Sequence, residues 1–218
     1  MEVLSREFDI ESTKKSYKNI VPVYNLWSRL TESKAAKYVI RYADIHDEET
    51  ILEVACGTGI VFEQIIKRNP NGRNIGIDLS PDMLEKAVKR LKNHGNSNYE
   101  LKEGNALELG LADNSIDLLI NNFMVDLMPE DMFDGLADEF FRVIKPGGRV
   151  VISTFSAGKT KVNKFWSWVA LRFPDLLTGC RPVSFRANLI KAGFQIENNL
   201  ELSQNTFPSN VIKARKLK

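Results

Sequence analysis

The chain has 218 residues, 43% of them hydrophobic and 27% charged, which suffices for one sizeable core and fits a single α/β domain. Its formal net charge of +2, read as spread through the chain, makes no electrostatic case for nucleic acid. No apolar run reaches the ~18 residues of a membrane span. The amino-terminal Met-Glu-Val-Leu-Ser-Arg-Glu has no signal-peptide core, and two cysteines, Cys56 and Cys180, are too few for a disulfide framework, so a cytoplasmic setting is expected.

In chain order, residues 1–47 read as two or three helical pieces, the clearest over 33–40. Pro22 interrupts any helix through 20–27, where Tyr24 and Trp27 either pack a helical cover on the sheet or close a lid over a bound donor and acceptor. Residues 50–59, Thr-Ile-Leu-Glu-Val-Ala-Cys-Gly-Thr-Gly, predict a short buried strand that ends in a glycine turn. Gly57 and Gly59 can take positive φ and let a ligand lie against bare backbone. Helical spacing resumes at Ile60, so free N–H groups and a positive dipole end face whatever sits above the turn. A dinucleotide fingerprint would need a third glycine where Phe62 stands, which argues for a ligand without a pyrophosphate. Residues 74–78 predict a second strand ending at Asp78, placed to accept hydrogen bonds from the two hydroxyls of a free ribose.

Ser80 and Pro81 mark a helix start, and Met83 is either a buried helix methionine or a ligand contact. Residues 99–103 predict a third strand, followed by Gly104-Asn105-Ala106-Leu107. A fourth strand, 115–122, leads to Phe123-Met124-Val125-Asp126-Leu127-Met128-Pro129. Ligands bind beyond the carboxyl ends of such strands, so 122–128 should face the reacting centre, with Asn122 at its edge. The apolar run is either an acceptor pocket or a cap packed on the sheet; Asp126, its single ionisable residue, either orients or deprotonates a nucleophile or is a solvated loop acid. A helix over 130–144 and the turn Lys145-Pro146-Gly147-Gly148 precede a fifth strand, 149–155. Phe165, Trp166, Trp168, Val169, Leu171 and Phe173 then crowd a helix with aromatics, which suggests a hydrophobic substrate, contact with a membrane surface, or a plain amphipathic cover. Ser184 is expected to cap a last helix stopped by Gly193, with two final strands near 194–202 and 206–216.

Four ordered motifs in this chain resemble those of the class I S-adenosylmethionine-dependent methyltransferases. They are Glu53-Val54-Ala55-Cys56-Gly57-Thr58-Gly59, Gly76-Ile77-Asp78-Leu79-Ser80, Glu103-Gly104-Asn105-Ala106 and Ile144-Lys145-Pro146-Gly147-Gly148. The span from Ile116 through Pro129 and Lys145-Pro146-Gly147-Gly148 are similar to ubiquinone and menaquinone methyltransferases and to bacterial phosphatidylethanolamine N-methyltransferases, with Val125-Asp126-Leu127 where the quinone enzymes carry an Arg-Asn pair. The resemblance implies a doubly wound, mostly parallel seven-stranded sheet with helices on both faces and a C-terminal antiparallel hairpin. It divides the chain into a helical cover (1–47), a cofactor core (48–155), an acceptor-side insertion and helix (156–193) and terminal strands (194–218). It implies S-adenosylmethionine as cofactor and S-adenosylhomocysteine as product. Glu53, Ala55, Gly57, Gly59, Asp78, Leu79, Met83, Asn105, Ala106 and Asn122 are then the expected cofactor contacts, Asn105 offering its carbonyl to the adenine amino group. Asp126 and Tyr24 are the candidates for catalysis, although Asn25 stands where the family's Tyr-Asp pair has its acid.

Absences narrow the chemistry. His46 and His94 fall at the wrong end of the sheet for a general base, no clustered acids flank Asn121-Asn122 for a metal-assisted site, and two cysteines are too few for an arsenite methyltransferase. What remains is in-line displacement on an activated sulfonium by an aligned acceptor, preferably lipophilic and quinone-like or lipid. A soluble-metabolite methyltransferase is the alternative. A nicotinamide oxidoreductase and a noncatalytic cofactor-binding partner protein are the readings from other classes.

Overall fold

A computed structural model of the chain describes residues 31–92, 98–158, 160–172 and 180–218. Tyr24, Trp27 and His94 therefore lie outside the described residues. Seven strands form one sheet: β1 (Thr50–Val54), β2 (Arg73–Asp78), β3 (Tyr99–Glu103), β4 (Ile116–Asn122), β5 (Ile144–Phe155), β6 (Phe194–Gln204) and β7 (Phe207–Lys216). Their order is β3-β2-β1-β4-β5-β7-β6, with β7 antiparallel to both β5 and β6 and the other pairs parallel. The strand order reverses between β1 and β4, and that switch point opens a crevice above the carboxyl ends of the strands.

The helices are α1 (Ser33–Ala43), α2 (Ile60–Arg68), α3 (Pro81–Leu91), α4 (Phe133–Val143), α5 (Lys161–Arg172) and α6 (Arg186–Lys191). Successive strand residues point to opposite faces, and the buried residues sort accordingly. Ile51, Leu118, Ile120 and Val151 pack with Ala35 and Val39 of α1 and Phe62, Ile65 and Ile66 of α2. Leu52, Val54, Ile77, Leu119 and Ile152 pack with Leu136 and Phe140 of α4 and Leu189 of α6. Such two-sided burial is what makes the parallel strands near-continuous apolar runs. Phe62 is fully buried because β2 carries Gly76 opposite it: a Cβ there would meet the Phe62 ring at 3.3 Å and the Leu101 side chain at 2.6 Å. The ring fills the space that a third turn glycine would otherwise leave.

One buried ion pair sets the angle of α1. Arg149 of β5 donates to both carboxylate oxygens of Glu49 (2.7 and 2.8 Å) and to the carbonyls of Ala43 and Asp44 at the helix end, so four of its five N–H groups are engaged. At its other end α1 meets the β6–β7 hairpin, where Gln204 bridges Ser33 and the Lys34 N–H.

Three boundaries depart from the sequence expectations. The 130–144 helix begins as a short 3-10 turn (Glu130–Met132) and becomes α-helical only at Phe133. Ile144 already pairs with Ile116, so β5 starts before Lys145-Pro146-Gly147-Gly148 and absorbs that turn through a register shift. Ser184 does not cap α6, which starts after Phe185 with no side-chain cap; packing of Leu189 and Phe185 into the core holds this helix instead. Gly193 does end it, at φ +107°. Among the described residues no helix is long and apolar enough to cross a membrane.

Candidate active site

The turn between β1 and α2 is wound by backbone conformation that few residues tolerate. Ala55, Gly57 and Gly59 have φ of +58°, +54° and +78°. Glycine removes the steric penalty at two of these positions; Ala55 bears it, about 1–2 kcal/mol. A Cβ on Gly57 would meet nothing within 4 Å and would project into open space. The turn is closed by Gly59 N–H to Cys56 O (2.9 Å) and by Arg90 Nε of α3 to Thr58 O (2.8 Å).

Asp78, at the end of β2, reaches back across this turn. Its Oδ2 accepts from Gly57 N–H (2.7 Å) and its Oδ1 from Ser80 N–H (2.9 Å). Burial raises its pKa, and the N–H groups of Ser80, Gly57 and Leu79 pull it partly back. Each oxygen keeps a further lone pair, so the carboxylate can brace the turn and still accept from a ligand hydroxyl. Ser80 in turn accepts from Met83 N–H as the N-cap of α3, with Pro81 at its first position.

Two cavities meet at the turn. The first is lined by Val54, Ala55, Gly57, Asp78, Leu79, Met83, Asn105, Ala106 and Asn122, with Phe123, Met124, Leu127 and Met128 as its far wall. The second, about 600 Å³, lies toward the α1 and α2 side and is lined by Glu53, Cys56, Thr58, Gln64 and by Lys37, Arg68 and Arg90. Ala55, Gly57 and Asn122 belong to both. Strand alternation explains the division: Val54 and Ile77 point to one face, Glu53 and Asn122 to the other. Nine of the ten expected cofactor contacts thus line one or both cavities. The tenth, Gly59, caps α2 and packs at 3.2 Å from Ala87 by the position of its absent Cβ, so it shapes the turn from below.

Glu53 is 2% exposed and its Oε2 has no hydrogen-bond partner. Burial raises its pKa well above the usual carboxyl range, and the Asp78 charge pushes it the same way. An unpartnered buried acceptor on a cavity floor is costly without a ligand and is answered by a cationic or donor group. Burial also raises the Cys56 thiol, with Glu53 and Asp78 adding to the effect, which leaves it unreactive. Asn122 Oδ1 accepts from Ser153 Oγ (2.6 Å), which fixes the side chain where the cavities join.

Two expectations change at this level. The Asn105 carbonyl, expected to face an adenine amino group, accepts from Leu107 N–H (3.0 Å) and closes its own loop, so only its second lone pair and its amide donors remain for a ligand. Asp126 is not a solvated loop acid: it is fully buried and neither carboxyl oxygen has a hydrogen bond of normal geometry. Burial pushes its pKa up to about 6; the Asp126 and Phe155 N–H groups, the nearby Cys180 thiol and the Arg181 charge oppose that shift. Asp126 is also absent from the cavity lining. It sits behind the wall, in the segment that Arg181 ties down through its N–H to Asp126 O (3.1 Å) and its guanidinium to Met128 O. The cations of the second cavity, Lys37, Arg68 and Arg90, escaped the sequence reading, because three helices far apart in the chain bring them together.

A family model described as "Methyltransferase domain" matches residues 45–177. An arsenite methyltransferase of Halobacterium salinarum is 32% identical over 160 residues, 71% of this chain and 39% of that protein. A demethylmenaquinone methyltransferase of Lactococcus lactis is 38% identical over 103 residues, 47% of this chain and 40% of that protein. The chain thus spans about two-fifths of the length of these curated relatives. The structure of an S-adenosylmethionine-dependent methyltransferase from Aquifex aeolicus superimposes with a TM-score of 0.66 over 97% of this chain and all of that one, at 18% identity, which shows the shared fold. The glycine turn, the acid that ends β2 and the matched domain lead to one assignment: this chain belongs to the class I S-adenosylmethionine-dependent methyltransferase family.

Proposed function

We propose that the protein transfers a methyl group from S-adenosylmethionine to a small lipophilic acceptor, quinone-like or lipid. The observation that carries the reading is the junction itself. A buried carboxylate braced on Gly57 N–H faces a cavity whose opposite wall is Phe123, Met124, Leu127 and Met128. The residues present fit the cofactor: Asp78 offers lone pairs for the ribose, Gly57 leaves room, and Glu53 holds an orphaned oxygen at the entrance to the second cavity. When bound, the cofactor supplies an already activated sulfonium methyl.

The protein's own contribution is then orientation and dryness. Asp78 and the turn hold the sugar, Met83, Leu79 and Ala106 enclose the base, and Asn105 reads its edge with the groups its loop leaves over. Glu53 receives the ammonium of the amino-acid arm, and ionises as it does so. Asn122, held by Ser153, marks the point of transfer. Aligning two reactants in a site that excludes water is worth several kcal/mol of barrier, so a strong base is not required. Asp126 acts as a positioning residue, through the wall it underlies. Tyr24 remains a candidate for closing the site, outside the described residues. In this reading 48–155 is the cofactor core of a single domain, 156–193 the acceptor side, and the protein works in the cytoplasm in peripheral contact with the membrane.

The resemblance to the Lactococcus lactis protein supports the lipophilic acceptor. The Halobacterium salinarum relative favours a second reading, a soluble acceptor taken from water. Methyl-labelled S-adenosylmethionine incubated with the protein and a detergent-solubilised cell extract separates them. Label in the organic phase supports the first reading, and label confined to the aqueous phase replaces it with the second.

A further inference from the structure

The charge of this chain is not evenly spread. Residues 140–196 contain ten Lys or Arg and a single acid, Asp175, a net of +9. With +2 for the whole chain, the remaining residues sum to −7. Within the basic stretch, 157–172 has Lys159, Lys161, Lys164 and Arg172 and no acid at all. Elsewhere in the stretch Arg142 pairs with Glu139, Lys145 with Asp117, Arg149 with Glu49 and Lys191 with Asp134.

The helix in that stretch, α5, has two characters. Trp166 packs edge-on against Phe207 and donates from Nε1 to Thr206 Oγ1 (2.9 Å), and Val169 is buried. Val162, Phe165 and Trp168 face outward at 55%, 54% and 54% exposure. Phe165 and Trp168 stack on each other at 5.9 Å between ring centroids, 27° from parallel. Three of the seven exposed large apolar side chains among the described residues fall within these seven positions, whereas the other four are scattered. Isolated exposed apolar residues need no account; a grouped aromatic patch does.

The position of α5 adds to its composition. Its Asn163 donates to Thr206 O and Ser203 Oγ at the tip of the β6–β7 hairpin. The same tip holds the start of α1, and Ser209 at the beginning of β7 pairs with Phe155 at the carboxyl end of β5. The patch therefore lies along the rim onto which the cavities open.

We propose that the outward face of α5 docks on an anionic phospholipid bilayer, with Val162, Phe165 and Trp168 entering the headgroup boundary and the cations of 157–172 meeting lipid phosphates. An aromatic face beside a run of Lys and Arg is the composition of an interfacial helix, and the absence of acids removes repulsion from a negative leaflet. The inference rests on the lipophilic-acceptor reading in one respect, that docking would bring the cavity mouth to the phase holding the acceptor.

The test is co-sedimentation of the full chain with vesicles of phosphatidylcholine alone and of phosphatidylcholine mixed with phosphatidylglycerol, with no acceptor present. Binding to the mixed vesicles should be at least about tenfold tighter and should weaken with salt. Phe165→Ser with Trp168→Ser should lower it by about tenfold or more while S-adenosylmethionine binding, measured by calorimetry, stays unchanged and so reports a folded protein. Lys161→Glu with Lys164→Glu should abolish the preference for the anionic vesicles. No vesicle binding by the wild type, or undiminished binding by the aromatic variant, overturns the proposal. So does a wild-type dimer that the aromatic variant dissociates in sedimentation velocity, since the face would then be a contact between copies. Label in the organic phase of the detergent extract without vesicle binding would remove only the docking face; vesicle binding with label in water would remove only the lipophilic acceptor.

Discussion

The two sides of the crevice are built differently. On the donor side polar groups are answered within a short stretch of chain: Gly57 N–H finds Asp78 across 21 residues, Ser80 N–H finds it across two, and Ser80 caps the helix it precedes. On the opposite side the wall from Phe123 to Met128 is held from 53 residues downstream by Arg181, and Asp126 within it is fully buried. The donor side is locally specified, and Glu53 Oε2 is the buried acceptor it leaves without a partner. That wall buries an acid and depends on contacts remote in sequence. A shared cofactor needs the first; a change of acceptor needs only the second to be rebuilt.

The largest effect that would test this contrast is at the turn. Gly57→Val places a side chain in the cavity at a φ of +54°, so S-adenosylmethionine affinity should fall by more than about 100-fold while the far-ultraviolet dichroism stays native. Normal binding would mean that the turn does not touch the ligand.

Asp126 breaks the comparison from the other side. Its carboxyl titrates near 3.8 in an ordinary environment and at about 6 in the fold, so the folded state holds the proton more tightly than the unfolded chain does. Its contribution is complete below pH 4 and is lost as pH rises through 6, a change of about 3 kcal/mol. The stability of Asp126→Asn relative to wild type should therefore rise by about that amount between pH 4 and 7.5 in urea titrations. A difference that does not move with pH would place the titration elsewhere.

Asp78→Ala should cost about 1.5–3 kcal/mol in S-adenosylmethionine binding, because two charge-assisted hydrogen bonds to the ribose vanish. It should also lower the melting temperature, because Gly57 and Ser80 lose their acceptor. Unchanged affinity by calorimetry would remove the ribose role and leave only the brace. The smallest effect is at Ala55, where Ala55→Gly should stabilise the apo protein by about 0.5–1 kcal/mol: relief of the left-handed strain exceeds the added freedom of the unfolded chain. A loss of stability would show that the alanine side chain is held by packing.

The donor side was legible in the sequence because its chemistry is local. A strand can end in Ala55-Cys56-Gly57-Thr58-Gly59 only by turning, Asp78 ends the next strand, and Ser80-Pro81 starts a helix; each is a short-range constraint. Phe62 excluded a pyrophosphate for the same reason, although its complement, Gly76, shows only when β2 is laid beside α2. Where local rules competed with packing they failed. Ser184 looked like a cap, but apolar burial sets the start of α6, and Lys145-Pro146-Gly147-Gly148 looked like a turn before a strand that had already begun at Ile144. Side-chain type alone does not place Asn105 and Asp126, whose roles follow from what surrounds them: a neighbouring N–H in one case, complete burial in the other.

What the sequence determined by itself is therefore the sheet, the glycine turn and the acid that ends β2, because each rests on constraints between residues close in the chain. Only the tertiary structure decided that two cavities share that turn, that Glu53 and Asp126 lie buried, and that α5 turns an aromatic pair outward. Burial and exposure depend on segments that meet from opposite ends of the chain, and no window of sequence contains both partners.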